Sequence, residues 1–219
     1  MKKIIFWVLL LGLLSLVPLT VIKSVSVPYL MANRSAMMNL VQRIFALTAF
    51  VLLFWQIMLG AYMQKWTDKL GGWVFKFHVI QGTMIYALVF LHPVFFMLFN
   101  FFAGRGIDPF YVFTQVCVFC KSPELYYSLG RVSFWLINIA FFAGLFRTTT
   151  PYMRANWRKF HIINYLVFLL VGIHGFFSGT DFRIKPFFTF AIIAYLIVVY
   201  TIIRKLPSLV SFLKNWLRS

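Results

Sequence analysis

Long apolar runs broken by short, basic polar stretches set the pattern of this chain. Six runs are long enough to cross a hydrocarbon core about 30 Å thick: residues 4–22, 39–63, 72–101, 127–146, 157–177 and 186–203. The third is long enough to tilt or to project beyond the core. Each run predicts a membrane-spanning helix. The first run follows Lys2 and Lys3, as a signal peptide would, and Ser24 and Ser26 fit a small-residue cleavage site. Its apolar length exceeds a usual signal core, which favours a retained helix. Residues 1–36 are therefore a membrane span with an outer segment, 37–205 a five-helix domain, and 206–219 an amphipathic tail lying along the cytoplasmic surface.

Composition agrees with that class: 62% of residues are apolar, 11% are charged, and 28 are Phe. A net charge of +17 resembles a nucleic-acid signature, but its placement excludes that partner. With six spans and a cytoplasmic N-terminus, thirteen of the 21 basic residues fall on the cytoplasmic side, among them Lys65, Lys69, Arg147, Arg154, Arg158 and Arg204. That bias follows the positive-inside rule and puts both termini in the cytoplasm of a cell whose inner membrane holds the protein. Anionic lipid and an acidic redox partner are the partners such charge fits.

All four histidines lie inside apolar runs, in two pairs. His78 and His92 are 14 apart, and His161 and His174 are 13 apart. At about 1.5 Å of rise per residue each pair spans roughly 20 Å. Two helices carrying such pairs side by side would present one His–His couple near each membrane surface, the arrangement that two b-type haems need. Ionisable residues at membrane depth are costly and functional by default. At about 100° per residue His78 and His92 share a face, whereas His161 and His174 come out roughly 140° apart, a mismatch that a distortion near Gly172 would relieve. Pro93 should bend the third run.

Gly82 would let a porphyrin approach the backbone, or would simply let two helices pack closely. Gln81 and Asn164 each follow an inner histidine by three residues and would meet a cofactor's polar edge or solvent. Arg158, Lys159 and Lys76 on the inner side, and Arg43 and Arg131 on the outer side, are candidate partners for propionates. Zinc or copper transport would want carboxylates or sulfur beside the histidines, but Asp68, Asp108, Glu124 and Asp181 all fall in loops or at span ends. A haem-free proton or metal transporter using the histidines is the alternative. Cys117 and Cys120, in a long connection after the third run, would form an outer disulfide or stay as buried thiols. A thiol–disulfide couple there would also suit an electron acceptor.

The segments FKFHVIQGTMIYALVFLH (75–92) and WRKFHIINYLVFLLVGIH (157–174), with their 14/13 spacing on the third and fifth of six helices, resemble the ferric reductase-like transmembrane domain. That family includes NADPH oxidases, ferric-chelate reductases and the haem-binding membrane subunit of a periplasmic methionine sulfoxide reductase system. The resemblance covers roughly residues 39–203. It implies an all-α, six-helix integral membrane bundle binding stacked haems, with His78, His92, His161 and His174 as axial ligands of two haems b. It also implies electrons entering from a cytoplasmic flavin and leaving outside. Few residues follow residue 203 and no GxGxxG motif occurs. The chain is therefore expected to take electrons from a separate cytosolic flavin reductase or a quinol, and to pass them to oxygen, ferric iron or a periplasmic acceptor protein.

Overall fold

The computed structural model describes residues 2–24 and 26–217, with side chains as far as residue 207. Among these residues there are helices and no strands. In order they are α1 (Lys2–Leu14), α2 (Leu16–Ile22), α3 (Val27–Ala32), α4 (Arg34–Ala61), α5 (Met63–Leu70), α6 (Trp73–Phe102), α7 (Pro109–Phe113), α8 (Glu124–Leu145), α9 (Pro151–His161), α10 (Asn164–Ser178) and α11 (Phe187–Leu217), with one 3₁₀ turn at Asp181–Arg183. Six stretches are long and apolar enough to cross a membrane: Lys2–Ile22, Arg34–Ala61, Trp73–Phe102, Glu124–Leu145, Pro151–Ser178 and Phe187–Pro207. Number and order follow the apolar runs. Ends shift where local chemistry sets them. Helix α4 starts at Arg34 because the Asn33 side chain accepts the Ala36 N–H at 3.1 Å.

Four of the spans form a ring. Helix α4 packs on α6, α6 on α8, α8 on α10, and α10 back on α4. Helix α6, with His78 and His92, and the fifth span, with His161 at the end of α9 and His174 on α10, are therefore not packed side by side, as the sequence spacing suggested. They face each other across the ring, and the space between them is the bundle axis. The first span and α11 pack outside this ring, against α4 and against each other. Phe6 anchors the first span: it is 2% exposed and touches the rings of Trp55, Trp66, Trp73 and Phe77, with centroids 5.2–6.1 Å away. The turn from α5 into α6 requires Gly71, whose φ of 97° is in the left-handed region.

Two expectations need correction. The fifth span is not one helix: α9 ends at His161 and α10 begins at Asn164. Between them Ile163 N–H bonds Phe160 O and Tyr165 N–H bonds Ile162 O, both at 3.1 Å and three residues back. A 3₁₀ turn advances about 120° per residue against about 100°, so this overwinding reduces the phase mismatch between the two histidines. The distortion is at Ile162–Ile163, not at Gly172. Gly172 is instead covered by the ring of Tyr195 on α11. Helix α6 runs unbroken through Pro93. The predicted tail is continuous with α11, which passes Pro207 to Leu217. Its amphipathic face from residue 208 onward lies outside the described residues.

Candidate functional site

The ring brings the four histidines together in two tiers. At the inner tier His78 of α6 and His161, the last residue of α9, face each other with ring centroids 6.3 Å apart and planes 66° apart. A metal–imidazole bond is about 2 Å and a ring centroid lies roughly 1 Å behind its donor nitrogen, so two imidazoles on one ion have centroids about 6 Å apart. The inner spacing is that of a bis-imidazole couple. At the outer tier His92 and His174 line a cavity of about 430 Å³, a size typical of cofactor pockets. Its walls are largely apolar, with Phe50, Phe96 and Phe134 among them, and Arg43 and Arg131 are its cations.

Three of the rings are fixed by backbone carbonyls. Nδ1 of His92 bonds Gln42 O at 3.0 Å, Nδ1 of His161 bonds Ala140 O at 3.1 Å, and Nδ1 of His174 bonds Tyr126 O at 2.8 Å. A carbonyl only accepts, so Nδ1 carries the hydrogen and Nε2 keeps its lone pair free for a metal. His78 differs: its Nδ1 is buried without a hydrogen-bond partner. Gln56 Nε2 donates instead to the His78 carbonyl at 2.8 Å.

Glycines seat these rings. An added Cβ at Gly130 would meet His174 at 2.9 Å, one at Gly144 would meet His161 at 3.3 Å, and one at Gly60 would meet His78 at 3.3 Å. Gly130 and Gly144 lie on α8, 14 residues apart, the same spacing as His78 and His92. That repeat was visible in the sequence and is the signal that could have found them.

The other predicted residues sort as follows. Gly82 is covered by Gln56, whose Nε2 would sit 3.0 Å from a Cβ there, so its missing side chain admits α4 to α6. Gln81 is buried and donates to Leu52 O at 3.2 Å, while Asn164 donates to His161 O at 2.9 Å across the helix break. Arg43 and Arg131 reach the cavity already paired. Arg43 Nε donates to Asp181 at 2.6 Å, and Arg131 pairs with Glu124. The carboxylates at the span ends thus neutralise the outer arginines, which linear spacing does not show. Arg158 is exposed and lies over Trp157, whose ring is 5.5 Å from that of His161. An unpredicted cation is closer in register: Arg147 donates to the carbonyl of Gly144, the glycine under His161. Cys117 and Cys120 are joined as a disulfide.

Among the described residues no three His, Cys, Asp or Glu side chains cluster as a metal cage. Two imidazoles per tier suit an ion that brings its own equatorial ligands. Free Nε2 atoms, an apolar cavity of the right size and two arginines at the outer tier fit a haem. No family model, no curated protein and no solved structure matches the chain.

Proposed function

We propose that this protein carries electrons across a membrane through two b-type haems, one per tier. Each haem, when bound, supplies a one-electron couple. His78 and His161 would hold the inner iron, and His92 and His174 the outer one. The backbone carbonyls of Gln42, Ala140 and Tyr126 orient three of these rings and strengthen them as donors. Arg43 and Arg131, whose charge Asp181 and Glu124 already match, would offer propionates hydrogen-bond donors rather than net charge at the outer tier, and Arg147 and Arg158 are the cations near the inner one. Gly60, Gly130 and Gly144 let the ligand rings lie against helix backbone.

The observation that carries this reading is the two-tier pairing of all four histidines on helices that face each other across a four-helix ring. The ferric reductase-like segments support it. By the same resemblance and the charge bias, the protein lies in the inner membrane with both termini cytoplasmic. Electrons come from a cytosolic flavoprotein or a quinol and leave to an outer acceptor such as a periplasmic protein, ferric iron or oxygen. A dithionite-reduced minus oxidised spectrum of the purified protein tests this. About two low-spin haems b per chain are expected; protein made with ample haem that shows no Soret band ends the reading.

A further inference from the structure

The connection between α6 and α8 is too apolar and too deep for an ordinary outer loop. From Pro109 to Cys120 it carries no charged side chain, and Asp108 and Lys121 bound it on either side. From the end of α7 its backbone is bonded along one face of α8. Trp135 Nε1 donates to Phe113 O at 2.8 Å, Arg131 Nη1 donates to Gln115 O at 2.6 Å, and Cys117 N–H donates to Ser128 Oγ at 2.8 Å. Positions 113, 115 and 117 thus meet positions 135, 131 and 128, which lie three to four residues apart on one face of the helix.

These partners fix the depth. The middle of α8 (Glu124–Leu145) falls near Trp135. Ser128 lies about 10 Å outward of it along the axis, inside the roughly 15 Å half-thickness of a hydrocarbon core. Irregular backbone is tolerated there only where its polar groups are satisfied by protein. The α8 side chains satisfy these groups at positions 113, 115 and 117. One side of the segment, with Val112 and Phe113, walls the outer cavity. The other side is bare: Phe110 is 78% exposed, Val118 67% and Phe119 99%. In water that face would be an apolar liability, whereas in acyl chains it is solvated.

We infer that residues 109–120 form a re-entrant segment that dips into the leaflet nearest the His92–His174 tier, where lipid acyl chains cover Phe110, Val118 and Phe119. The disulfide closes the outward end of this segment, Arg131 bonds it at Gln115, and Glu124, paired with Arg131, accepts from the Tyr111 hydroxyl. Between α6 and α8 the outer cavity is then separated from lipid by this segment, while the ring helices wall most of the rest. The inference rests on the spans and not on the cofactor.

Nitroxide labels on Phe110→Cys, Phe119→Cys and Lys121→Cys, in proteoliposomes with the native disulfide intact, test it. Oxygen, which concentrates in lipid, should relax the labels at 110 and 119 several-fold more effectively than a water-soluble nickel chelate. The chelate should dominate at 121. Equal chelate access at all three sites overturns the inference and leaves an apolar face for a soluble protein. Where a label disturbs the disulfide, a benzophenone amino acid at 110 or 119 gives a second reading. Lipid adducts by mass spectrometry support insertion; protein adducts, or none, count against it. Protein without haem serves equally, so failure here is separate from failure of the haem reading.

Discussion

Single residues decide whether each tier is complete. On the proposed function, His92→Ala would remove an outer ligand and leave His78 and His161 facing each other at 6.3 Å. Haem content should fall from about two to about one per chain, with the remaining low-spin band unchanged; loss of both haems would mean the tiers do not assemble independently. Gly130→Ala tests the seating of His174, because its Cβ would meet the ring at 2.9–3.2 Å along the whole imidazole edge. Such overpacking costs about 1–3 kcal/mol, and the outer band should weaken or become high-spin. Gly12→Ala, which meets nothing within 4 Å, is the control and should leave spectra and stability as they are.

At the scale of elements, the helix break at Ile162–Ile163 and the anchoring of the first span carry the geometry. The break lets a 13-residue spacing serve where its partner uses 14. Asn164 holds it by bonding the His161 carbonyl. Phe6 fills the aromatic pocket between the first span, α4, α5 and α6. Phe6→Ala should cost about 3–5 kcal/mol through a cavity the surrounding rings do not fill. Thermal unfolding in detergent reads this directly, and a shift within error would show that the first span contributes little to the fold. Arg131 works across elements, joining α8, α7 and the disulfide segment. Arg131→Gln leaves Glu124 without its cation; with Glu124 26% exposed, the loss is smaller than the about 3–5 kcal/mol of a fully buried pair. It should loosen residues 109–120 before the ring, read by faster limited proteolysis in that connection.

At the scale of the whole molecule, six spans place one histidine tier toward each surface, roughly 20 Å apart. On the proposed function, the side with most lysines and arginines would dock an acidic donor. In proteoliposomes with ferricyanide trapped on the outer-tier side, a reduced flavoprotein added at the basic face should reduce it. The rate should fall several-fold between low and physiological salt as the charges are screened. An unchanged rate would point to a donor that enters from the lipid.

Periodicity and apolar length by themselves determined six helices, their order and the depth of the four histidines, because burial in lipid demands long apolar helices and nothing else in the chain competes. The paired 14 and 13 spacings made the tiers legible for the same reason: axial rise is fixed by helix geometry. Only the tertiary structure decided which helices face each other, since a ring of four and a side-by-side pair have the same spacings. It alone showed that Gly130 and Gly144 seat the His174 and His161 rings and that Arg43 and Arg131 meet Asp181 and Glu124. It alone showed the run after α6 folding back along α8. Each of these depends on azimuth and on contacts between segments far apart in sequence, which a one-dimensional pattern does not encode.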